Sequence, residues 1–368
     1  MSEQFFRVKI SLLKNFMRDV FIGLKVPSKE AQICADVLAA ADLMGMDSHG
    51  ISRMKPIYYD RIKLGIQLPV TKFEVVKETP TTAVIDGHNG MGHVIAYRAM
   101  EMAIKKAKKY GLGMTAVRNS THYGIAGYYP LMAVKEGMIG LTGTNARPSI
   151  APTFGVENML GTNPQTWGIP TDEKFPFLLD CATSITQRGK IEVYAKLGKK
   201  MPEGWVINQQ GKTETDPSKV LKMLTDGSAA LVPLGGIGED MGGYKGYGYT
   251  TVIEILSAAL QDGAYLKQLS GKKDGRPAPY RLGHFFTAIN IEHFTSLRKF
   301  KKTAGEILRQ LRASKKAKGQ KRIYTAGEKE YYTSVERLKK GVPVNMETRI
   351  EMIKMRDELG LKYKFDFE

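Results

Sequence analysis

The chain has 368 residues, of which 42% are hydrophobic and 25% are charged, enough to bury one large core or two smaller ones, so we expect two lobes. Its apolar stretches are broken by charge well short of the roughly 18 to 20 residues that cross a bilayer, and MSEQFFRVKI lacks the apolar core of a signal peptide. Two cysteines, Cys34 and Cys181, are too few for a disulfide framework, so the composition excludes a disulfide-rich secreted protein and indicates a soluble, cytoplasmic one without a membrane partner.

The first 72 residues are predicted to form a mainly helical lobe. Apolar residues recur at helical spacing over residues 6 to 24 and again over residues 28 to 46, which predicts two helices. The second helix delivers the sequence DSHG at its C-terminal end.

The DSHGISR sequence crowds Asp47, Ser48, His49 and Arg53 where a helix stops. One explanation is a cap, because Gly50 suits a left-handed C-terminal position and Ser or Asp often satisfies loose backbone groups near a turn. The other explanation is an active site. The residues alone leave both explanations open.

Strands and helices alternate from about residue 73 to residue 297. The predicted strands are residues 81–87, 113–120, 138–145, 175–183, 228–236 and 284–291, and the predicted helices are residues 92–111, 126–136 and 249–263. Such alternation predicts an α/β sheet domain over residues 73–297.

The glycine pattern after the first strand excludes the ordinary Rossmann interpretation. Gly87, Gly90 and Gly92 follow that strand, but their spacing is not G-x-G-x-x-G, and no G-x-x-x-x-G-K-[ST] loop is present. His88 and His93 lack a third ligand at suitable spacing, so we predict no metal site.

Polar clusters follow several of the predicted strands. His122 stands in NSTHYGIAGYYP, Asn145 follows the next strand, and Asp180 lies inside an apolar run. Ligands of α/β sheets gather beyond the carboxyl ends of the strands, so these residues are candidates for binding. The alternatives are an exposed capping segment at His122 and a buried ion pair at Asp180.

A glycine-dense stretch, LGGIGEDMGGYKGYGYT, surrounds a single lysine, Lys245, just before a predicted helix. Glycines permit close approach of the backbone to a ligand, and a lysine near a helix N-terminus suits a phosphate. A flexible loop is the alternative. The stretch alone does not decide between these interpretations.

The net charge of +18 concentrates in residues 298–322, which invites a nucleic-acid interpretation. Apolar residues from Phe300 to Leu311 keep an amphipathic helix spacing, so we favour a solvated helix face. A field that attracts anionic small molecules and a basic nucleic-acid-binding scaffold are the alternatives. Residues 298–368, including a predicted helical stretch at 336–360, are expected to pack back on the N-terminal lobe.

In order and wording, these motifs resemble the type 2 malate/L-lactate dehydrogenase family. The resemblance rests on DSHGISR, RNSTHYGIAGYYPLMA, LGTNPQTWGIP, FLLDCATSITQRGKIE, MPEGWVIN and GGYKGYGYTTVIEILSAAL, and it extends over about residues 5 to 360. It implies hydride transfer with NAD, or alternatively NADP, on a non-Rossmann mixed-sheet fold, usually in a homodimer. The expected substrates are (S)-malate and oxaloacetate, with L-lactate, another 2-hydroxy acid or an imine as the alternatives, and no nucleic acid.

The resemblance also implies roles for the DSHGISR residues. Ser48 and His49 would act at the reacting oxygen, since an imidazole can give or take the proton that hydride transfer requires. His49 is the favoured acid/base and His122 the alternative. Arg53 would clamp the substrate carboxylate.

The remaining implied contacts concern a second carboxylate and the cofactor. Arg147 or Arg188 would hold the second carboxylate of malate. The implied cofactor contacts are His122, Tyr123, Gly124, Ile125, Ala126, Asn145, Thr162, Asp180, Cys181, Ala182, Lys245, Gly246, Gly327 and Glu328. Two departures from the family weaken parts of this pattern: Ala326 replaces the usual proline before Gly327, and SITQRGKIE has no acid before Glu192 to complete a Ser-His-Asp relay.

Overall fold

A seven-stranded mixed sheet forms the centre of the computed structural model, which describes residues 5–368, with the backbone alone described at Lys196. The helices are α1 (Ile10–Gly23), α2 (Ser28–Met44), α3 (Asp60–Lys63), α4 (Gly92–Tyr110), α5 (Tyr128–Lys135), α6 (Arg188–Lys196), α7 (Pro217–Asp226), α8 (Gly243–Ala258), α9 (Leu297–Ala313), α10 (Glu328–Lys340) and α11 (Met346–Glu358). The strands are β1 (Phe6–Val8), β2 (Glu74–Glu78), β3 (Thr82–Asp86), β4 (Leu112–Ser120), β5 (Met138–Thr144), β6 (Gln165–Ile169), β7 (Phe177–Cys181), β8 (Val206–Asn208), β9 (Ala229–Leu231), β10 (Lys272–Lys273), β11 (Arg276–Pro277), β12 (Leu282–Asn290) and β13 (Val342–Val344).

The order of strands in the large sheet is β2-β3-β4-β12-β5-β6-β7. β3 and β4 are parallel, and all the other neighbouring pairs in this sheet are antiparallel. It follows that β3, β4, β5 and β7 run in one direction and end at the same edge of the sheet. The predicted α/β class and the non-Rossmann mixed sheet are confirmed.

Helix α4 packs closely on this sheet because its buried face is rich in small residues. Ala96, Ala99 and Ala103 are buried at helical spacing. A Cβ atom on Gly113 of β4 would overlap the carbonyl oxygen of Ala103, so the close contact requires glycine there. This packing fixes the loops at both ends of β4 relative to the helix.

The two ends of the chain share one hydrophobic cluster. The ring of Phe16 in α1 lies edge-on to the rings of Tyr363 and Phe365, with centroids 5.3 and 5.2 Å apart. Val344 and Met352 are buried in the same cluster as Phe16. The C-terminal segment therefore packs on the N-terminal helices, whereas the domain limits at residues 72 and 297 remain a prediction.

Two predicted helices at the chain ends were wrong in part. The helix predicted at residues 6–24 is preceded by β1, which pairs antiparallel with β13. The helical stretch predicted at residues 336–360 is divided into α10 and α11 by β13. Gly341 has φ 83°, outside the helical region, and Pro343 cannot donate an intrahelical hydrogen bond, so the helix ends there.

The glycine-dense stretch is helical rather than a loop from Gly243 onward. The predicted helix 249–263 therefore starts six residues too late, and the predicted strand 228–236 is reduced to β9. Cβ atoms on Gly243 and Gly246 would overlap the carbonyl oxygens of Gly236 and Leu234. These two glycines permit the first turn of α8 to lie directly against the preceding segment.

The basic helix α9 is partly neutralised by acidic residues that follow β6. Arg309 contacts Asp172 at 2.9 Å, and Arg312 contacts Glu173 at 2.6 Å. Leu308 is buried, but Ile307 and Leu311 are 56% and 54% exposed, so the apolar face is narrower than predicted. Within residues 5–368, no helix combines the length and the apolar character that crossing a bilayer would require.

Candidate active site

A cavity of about 240 Å³ lies at the edge of the sheet where β4, β5 and β7 end. Its lining consists of Met46, Ser48, His49, His122, Tyr123, Gly124, Ile125, Ala126, Thr144, Asn145, Ala146, Thr162, Pro164, Asp180, Cys181, Ala182, Gln187 and Leu282. The cavity brings together the DSHG turn, the segment after β4 and the end of β7, which are far apart in sequence. Most of the predicted site residues share this one space.

The buried carboxyl group of Asp42 holds the DSHG turn in place. α2 ends at Gly45, whose φ of 82° makes it the left-handed cap that was predicted at Gly50. Gly50 is needed for another reason, since a Cβ there would overlap the side chain of Asp42. Asp42 Oδ2 accepts the backbone N–H of Ile51 at 2.9 Å, and burial raises the pKa of Asp42 to about 8.

Asp47 faces away from the cavity and contacts the C-terminal helix α10. Arg337 donates to Asp47 Oδ2 at 3.0 Å and to the carbonyl oxygen of Asp42 at 2.6 Å. The acid of the motif thus has a structural partner, which leaves Ser48 and His49 as the side chains of the motif that line the cavity.

Ser48, His49 and Arg53 are linked by short contacts. Ser48 Oγ lies 2.9 Å from His49 Nδ1, and Arg53 Nε donates to the carbonyl oxygen of Ser48 at 2.6 Å. No carboxylate among the described side chains bonds to His49. Glu192, the first acid after the ATS motif, accepts from Arg188 at 3.2 Å instead, so a three-residue relay is not formed.

Tyr58, which no sequence motif pointed to, holds the second histidine of the cavity in place. The Tyr58 hydroxyl lies 2.6 Å from His122 Nδ1, and the backbone N–H of Gly124 donates to the same nitrogen at 3.3 Å. With two donors at Nδ1, the neutral imidazole carries its proton on Nε2. Tyr58 stands in a π-helical stretch, Met54–Tyr59, a distortion that often occurs at functional sites.

Both imidazoles of the cavity are neutral at pH 7. The His49 and His122 rings are stacked with centroids 5.7 Å apart. Burial, together with the charge of Arg53, lowers the pKa of His49 to about 4. Burial and the neighbouring His49 lower the pKa of His122 well below its ordinary value. Each ring can therefore accept a proton or donate a hydrogen bond without first losing a charge.

Asn145 and Asp180 shape the cavity through bonds to the backbone. The Asn145 side chain accepts the N–H of Gly283 at 2.8 Å and donates to the carbonyl oxygen of Ala264 at 3.1 Å. Asp180 accepts from the N–H of Gly127 at 2.6 Å, and burial raises its pKa. The polar side-chain atoms of Asn145 and Asp180 thus mostly form hydrogen bonds within the protein. A ligand would mainly contact the backbone segments that these two side chains hold in place.

Several predicted residues do not line the cavity. Arg188 donates to Glu192 and to Thr225, while Arg147 is exposed beside the lining residue Ala146. Lys245 is exposed in the first turn of α8 with no carboxylate partner among the described residues, and Gly246 is packed against Leu234.

The late segment TAGEKEYY also lies outside the lining. Gly327 packs against the backbone of Pro176 and Leu178, next to β7. Glu328 is buried, where it pairs with Arg322 and accepts the N–H of Thr325 at 3.2 Å. These contacts give the Glu328 carboxylate two partners within the protein.

The residues that sequence reasoning missed are mainly apolar or come from separate elements. They are Met46, Tyr58, Thr144, Ala146, Pro164, Gln187 and Leu282. Gln187, inside the quoted motif SITQRGKIE, offered the clearest signal. Among residues 5–368, no group of three or more His, Cys, Asp or Glu side chains is placed to hold a metal ion.

His93 lies behind Tyr58, outside the cavity. It is fully buried, neither ring nitrogen has a hydrogen-bond partner, and its centroid is 4.6 Å from that of Tyr58. Burial lowers its pKa to about 3. Below the unfolded pKa of about 6.5, the unfolded chain binds a proton that the folded chain does not. The contribution of neutral His93 to the free energy of unfolding is therefore fully present above about pH 6.5 and is lost as the pH falls toward 3.

Replacing His93 with phenylalanine should reduce acid sensitivity. At pH 5 the wild type should lose about 2 kcal/mol of unfolding free energy to this one residue, relative to pH 7.5, and H93F should retain it. Urea unfolding at the two pH values measures the difference, with the exposed His293→Phe as a control. An equal pH dependence in H93F and wild type would show that His93 is not the cause.

Known proteins match this chain over almost its whole length. The family model described as malate/L-lactate dehydrogenase matches residues 8–352. The chain is 43% identical to the malate dehydrogenase of Pyrococcus horikoshii over 98% of this chain and 97% of that protein. It is 40% identical to the L-sulfolactate dehydrogenase of Methanocaldococcus jannaschii over 95% of this chain and 96% of that protein.

A solved structure gives the same result. The structure of malate dehydrogenase from Entamoeba histolytica matches with a TM-score of 0.95 and 46% identity, over 98% of this chain and all of that one. The resemblance inferred from the motifs is confirmed. The chain belongs to the malate/L-lactate dehydrogenase family, oxidoreductases that act on a CH–OH group.

Proposed function

We propose that the chain interconverts (S)-malate and oxaloacetate by hydride transfer to and from a nicotinamide cofactor. The observation that carries the proposal is the cavity in which Ser48-His49 and His122 meet at the carboxyl edge of the sheet. Relatives similar over nearly their full lengths are malate dehydrogenases. Because another relative is an L-sulfolactate dehydrogenase, a different 2-hydroxy acid is the second candidate.

The cavity fits the reactive end of such a cofactor. Its walls are the segments 122–126, 144–146 and 180–182, at the strand ends where α/β sheets bind ligands. Pockets for whole small ligands start at about 300 Å³, so a cavity of about 240 Å³ holds only part of a dinucleotide. α8 is tied to this rim by Thr250 Oγ1, which donates to Thr183 Oγ1 at 2.7 Å. We propose that α8 supports the phosphates.

The bound cofactor supplies or accepts the hydride, and the protein handles the proton. His49 Nδ1 is engaged by Ser48, which leaves Nε2 to accept the hydroxyl proton of malate or to return it to the oxygen of oxaloacetate. His122 Nε2–H donates a hydrogen bond to the same oxygen. Burial is the main cause of the lowered pKa of His49, and the charge of Arg53 lowers it further. A bound carboxylate on Arg53 would offset this second contribution, so substrate binding shifts the pKa of His49 upward.

Arg53 is our candidate for holding the carboxylate next to the reacting carbon, although it is not itself among the residues that line the cavity. Its Nε is bonded to the backbone of Ser48, and its two terminal nitrogens have no acceptor among the described residues. A guanidinium offers two parallel N–H groups to a carboxylate, which fixes the orientation of the carbonyl group.

We further propose that the cofactor is NAD, with NADP as the alternative, and that the enzyme works in the cytoplasm as a homodimer. An apolar stripe on α8 supports association, because Tyr249, Val252 and Ile255 are at least half exposed. Light scattering should give a mass of twice 40.9 kDa. A mass near one chain would contradict the dimer.

The function is tested in three assays, each of which contains the protein, NADH and one substrate: oxaloacetate, pyruvate or a cyclic imino acid. The absorbance of NADH should fall fastest with oxaloacetate. Fastest turnover of pyruvate or the imine would select one of the alternative activities. Failure to oxidise NADH or NADPH with any of the three would contradict the proposal and return the basic nucleic-acid-binding scaffold to consideration.

Replacing Lys245 with alanine should raise the dissociation constant of the cofactor about tenfold, equivalent to about 1.4 kcal/mol. The lysine is exposed in the first turn of α8, where a helix N-terminus favours phosphate. Fluorescence titration with NADH measures the change. Lys299→Ala, in the first turn of α9, is the matched control. An unchanged constant in K245A would exclude a phosphate contact.

A further inference from the structure

Arg61 is a partly buried cation that has an aromatic contact but, among residues 5–368, no hydrogen-bond acceptor and no ion-pair partner. It stands in α3, and its guanidinium lies over the ring of Tyr280, 4.2 Å from the centroid. It makes no hydrogen bond or ion pair with any described residue from 5 to 368. A guanidinium has five N–H donors, and those that are shielded from water are costly to leave unpaired, which favours binding of an anion there.

Arg61 lies near the cavity through its contact with Tyr280. Tyr280 packs against the cluster that contains Leu282, a lining residue. Burial lowers the pKa of Arg61, and the charges of Arg147 and Arg53 lower it further. The pKa of His122 is in turn lowered by the charges of Arg61 and Arg53, in addition to burial and His49. Arg147 and Arg53 therefore lie close enough to act on Arg61, and Arg53 and Arg61 lie close enough to act on the histidine of the site.

The surroundings of these arginines favour a doubly charged anion. Among the described side chains, no carboxylate lies within ion-pair distance of Arg53, Arg61 or Arg147. The alternative second cation, Arg188, is already paired with Glu192. Arg147 is exposed, whereas Arg61 is held in place by an aromatic ring.

On the basis of the function proposed above, we propose that Arg61 binds the second anionic group of the substrate and sets the preference for dianionic over monoanionic 2-oxo acids. Arg53 holds the carboxylate beside the reacting carbon, and Arg61 receives the group at the far end. A planar guanidinium accommodates a carboxylate or a sulfonate, so oxaloacetate and 3-sulfopyruvate share this chemistry.

The test compares kcat/KM for oxaloacetate, 3-sulfopyruvate and pyruvate. Arg61→Met removes the charge while keeping an aliphatic chain on Tyr280. It should lower kcat/KM by roughly 30- to 100-fold for the preferred dianion, the usual effect of truncating one member of a buried charge pair, and by less than about threefold for pyruvate. Arg61→Lys keeps the charge but not the planar guanidinium, so its kcat/KM should fall about fivefold for the dianion and not for pyruvate. Arg276→Met, in an exposed hairpin, is the control for charge removal.

The outcomes separate this assignment from the proposed function. A larger loss on oxaloacetate than on 3-sulfopyruvate, or the reverse, identifies the anion that Arg61 binds. If the wild type reduces oxaloacetate but R61M or R61K loses activity equally on all three acids, Arg61 is not a specificity residue.

A selective loss of activity on dianions in Arg147→Met, with no such loss in R61M, would also contradict the role proposed for Arg61. If the wild type reduces none of the acids, the proposed function fails first. Should R61M not fold, as judged by its Tm, R61K carries the test.

Discussion

Replacing His49 with alanine is expected to lower kcat by at least about a hundredfold in both directions, the usual share of general acid/base catalysis. The reason is that His49 lines the cavity, has its Nδ1 occupied by Ser48, and is kept neutral by burial, with a pKa of about 4 in the free protein. A proton must leave the hydroxyl group in malate oxidation, and water has limited access to replace the imidazole. Steady-state rates with saturating malate and with saturating oxaloacetate measure the effect.

The controls for H49A separate catalysis from binding. The dissociation constant of NADH should change little, because the segments proposed to hold the cofactor come from the sheet. Ser48→Ala should cause a smaller loss, since it removes only the group that orients the ring. Retained turnover in H49A would transfer the principal role to His122, which the same assay of His122→Ala would then show.

Replacing Arg53 with methionine should lower kcat/KM by about a hundredfold or more for every 2-oxo acid, including pyruvate. This loss is of the size expected when one member of a buried, hydrogen-bonded charge pair is removed. It should appear mainly as a higher KM, since all these acids share the carboxylate next to the carbonyl group. Part should appear in kcat, because Arg53 Nε also holds the carbonyl oxygen of Ser48.

Arg53→Lys tests whether the shape of the cation matters in addition to its charge. A lysine keeps the charge but cannot make two parallel hydrogen bonds, so an intermediate loss of about tenfold is expected. An unchanged KM in the methionine variant would show that Arg53 is a surface residue with no part in binding. The contrast with Arg61, whose loss should be selective for dianions, distinguishes the two ends of the substrate.

The sheet and the cavity edge were predictable because their signals are local. Strands such as β4 and β5 are short apolar runs, and the polar residues that follow them, His122 and Asn145, mark the carboxyl edge where ligands bind. The pairing of β1 with β13 was not predictable, because its partners are more than 330 residues apart, as in Phe6 opposite Val344. Nothing local distinguishes Phe6–Val8 from the start of the following helix.

The details of the site depended on tertiary partners that no sequence pattern reveals. Arg188 stands within a motif yet pairs with Glu192. Arg61 stands outside any motif, stacks on Tyr280 and has no ion-pair partner in the described part of the chain. Tyr58 reaches His122 because the chain from Met54 to Tyr59 is π-helical, which shifts side chains from their ordinary helical positions. In each case the choice of partner was decided by packing between distant segments.

The structural role of a glycine was also not predictable from the sequence pattern. A glycine-dense stretch is compatible with a flexible loop, a ligand cradle or close packing, and only the structure shows that Gly243 and Gly246 serve packing at the start of α8. The cap explanation placed a left-handed residue at Gly50, which is wrong because its φ is −95°. Glycine is required there because a Cβ atom would overlap the carboxyl group of Asp42.

The central claim is that hydride transfer takes place in the cavity between the DSHG turn and the ends of β4 and β7. A crystal structure of the protein with NADH and tartronate, an unreactive dianionic analogue, tests it most directly. The nicotinamide ring should lie against residues 122–126 and 180–182, with the hydroxyl of tartronate within hydrogen-bond distance of His49 and His122. Binding elsewhere, for example in the cavity of about 440 Å³ beside Pro152 and Tyr247, would contradict the account.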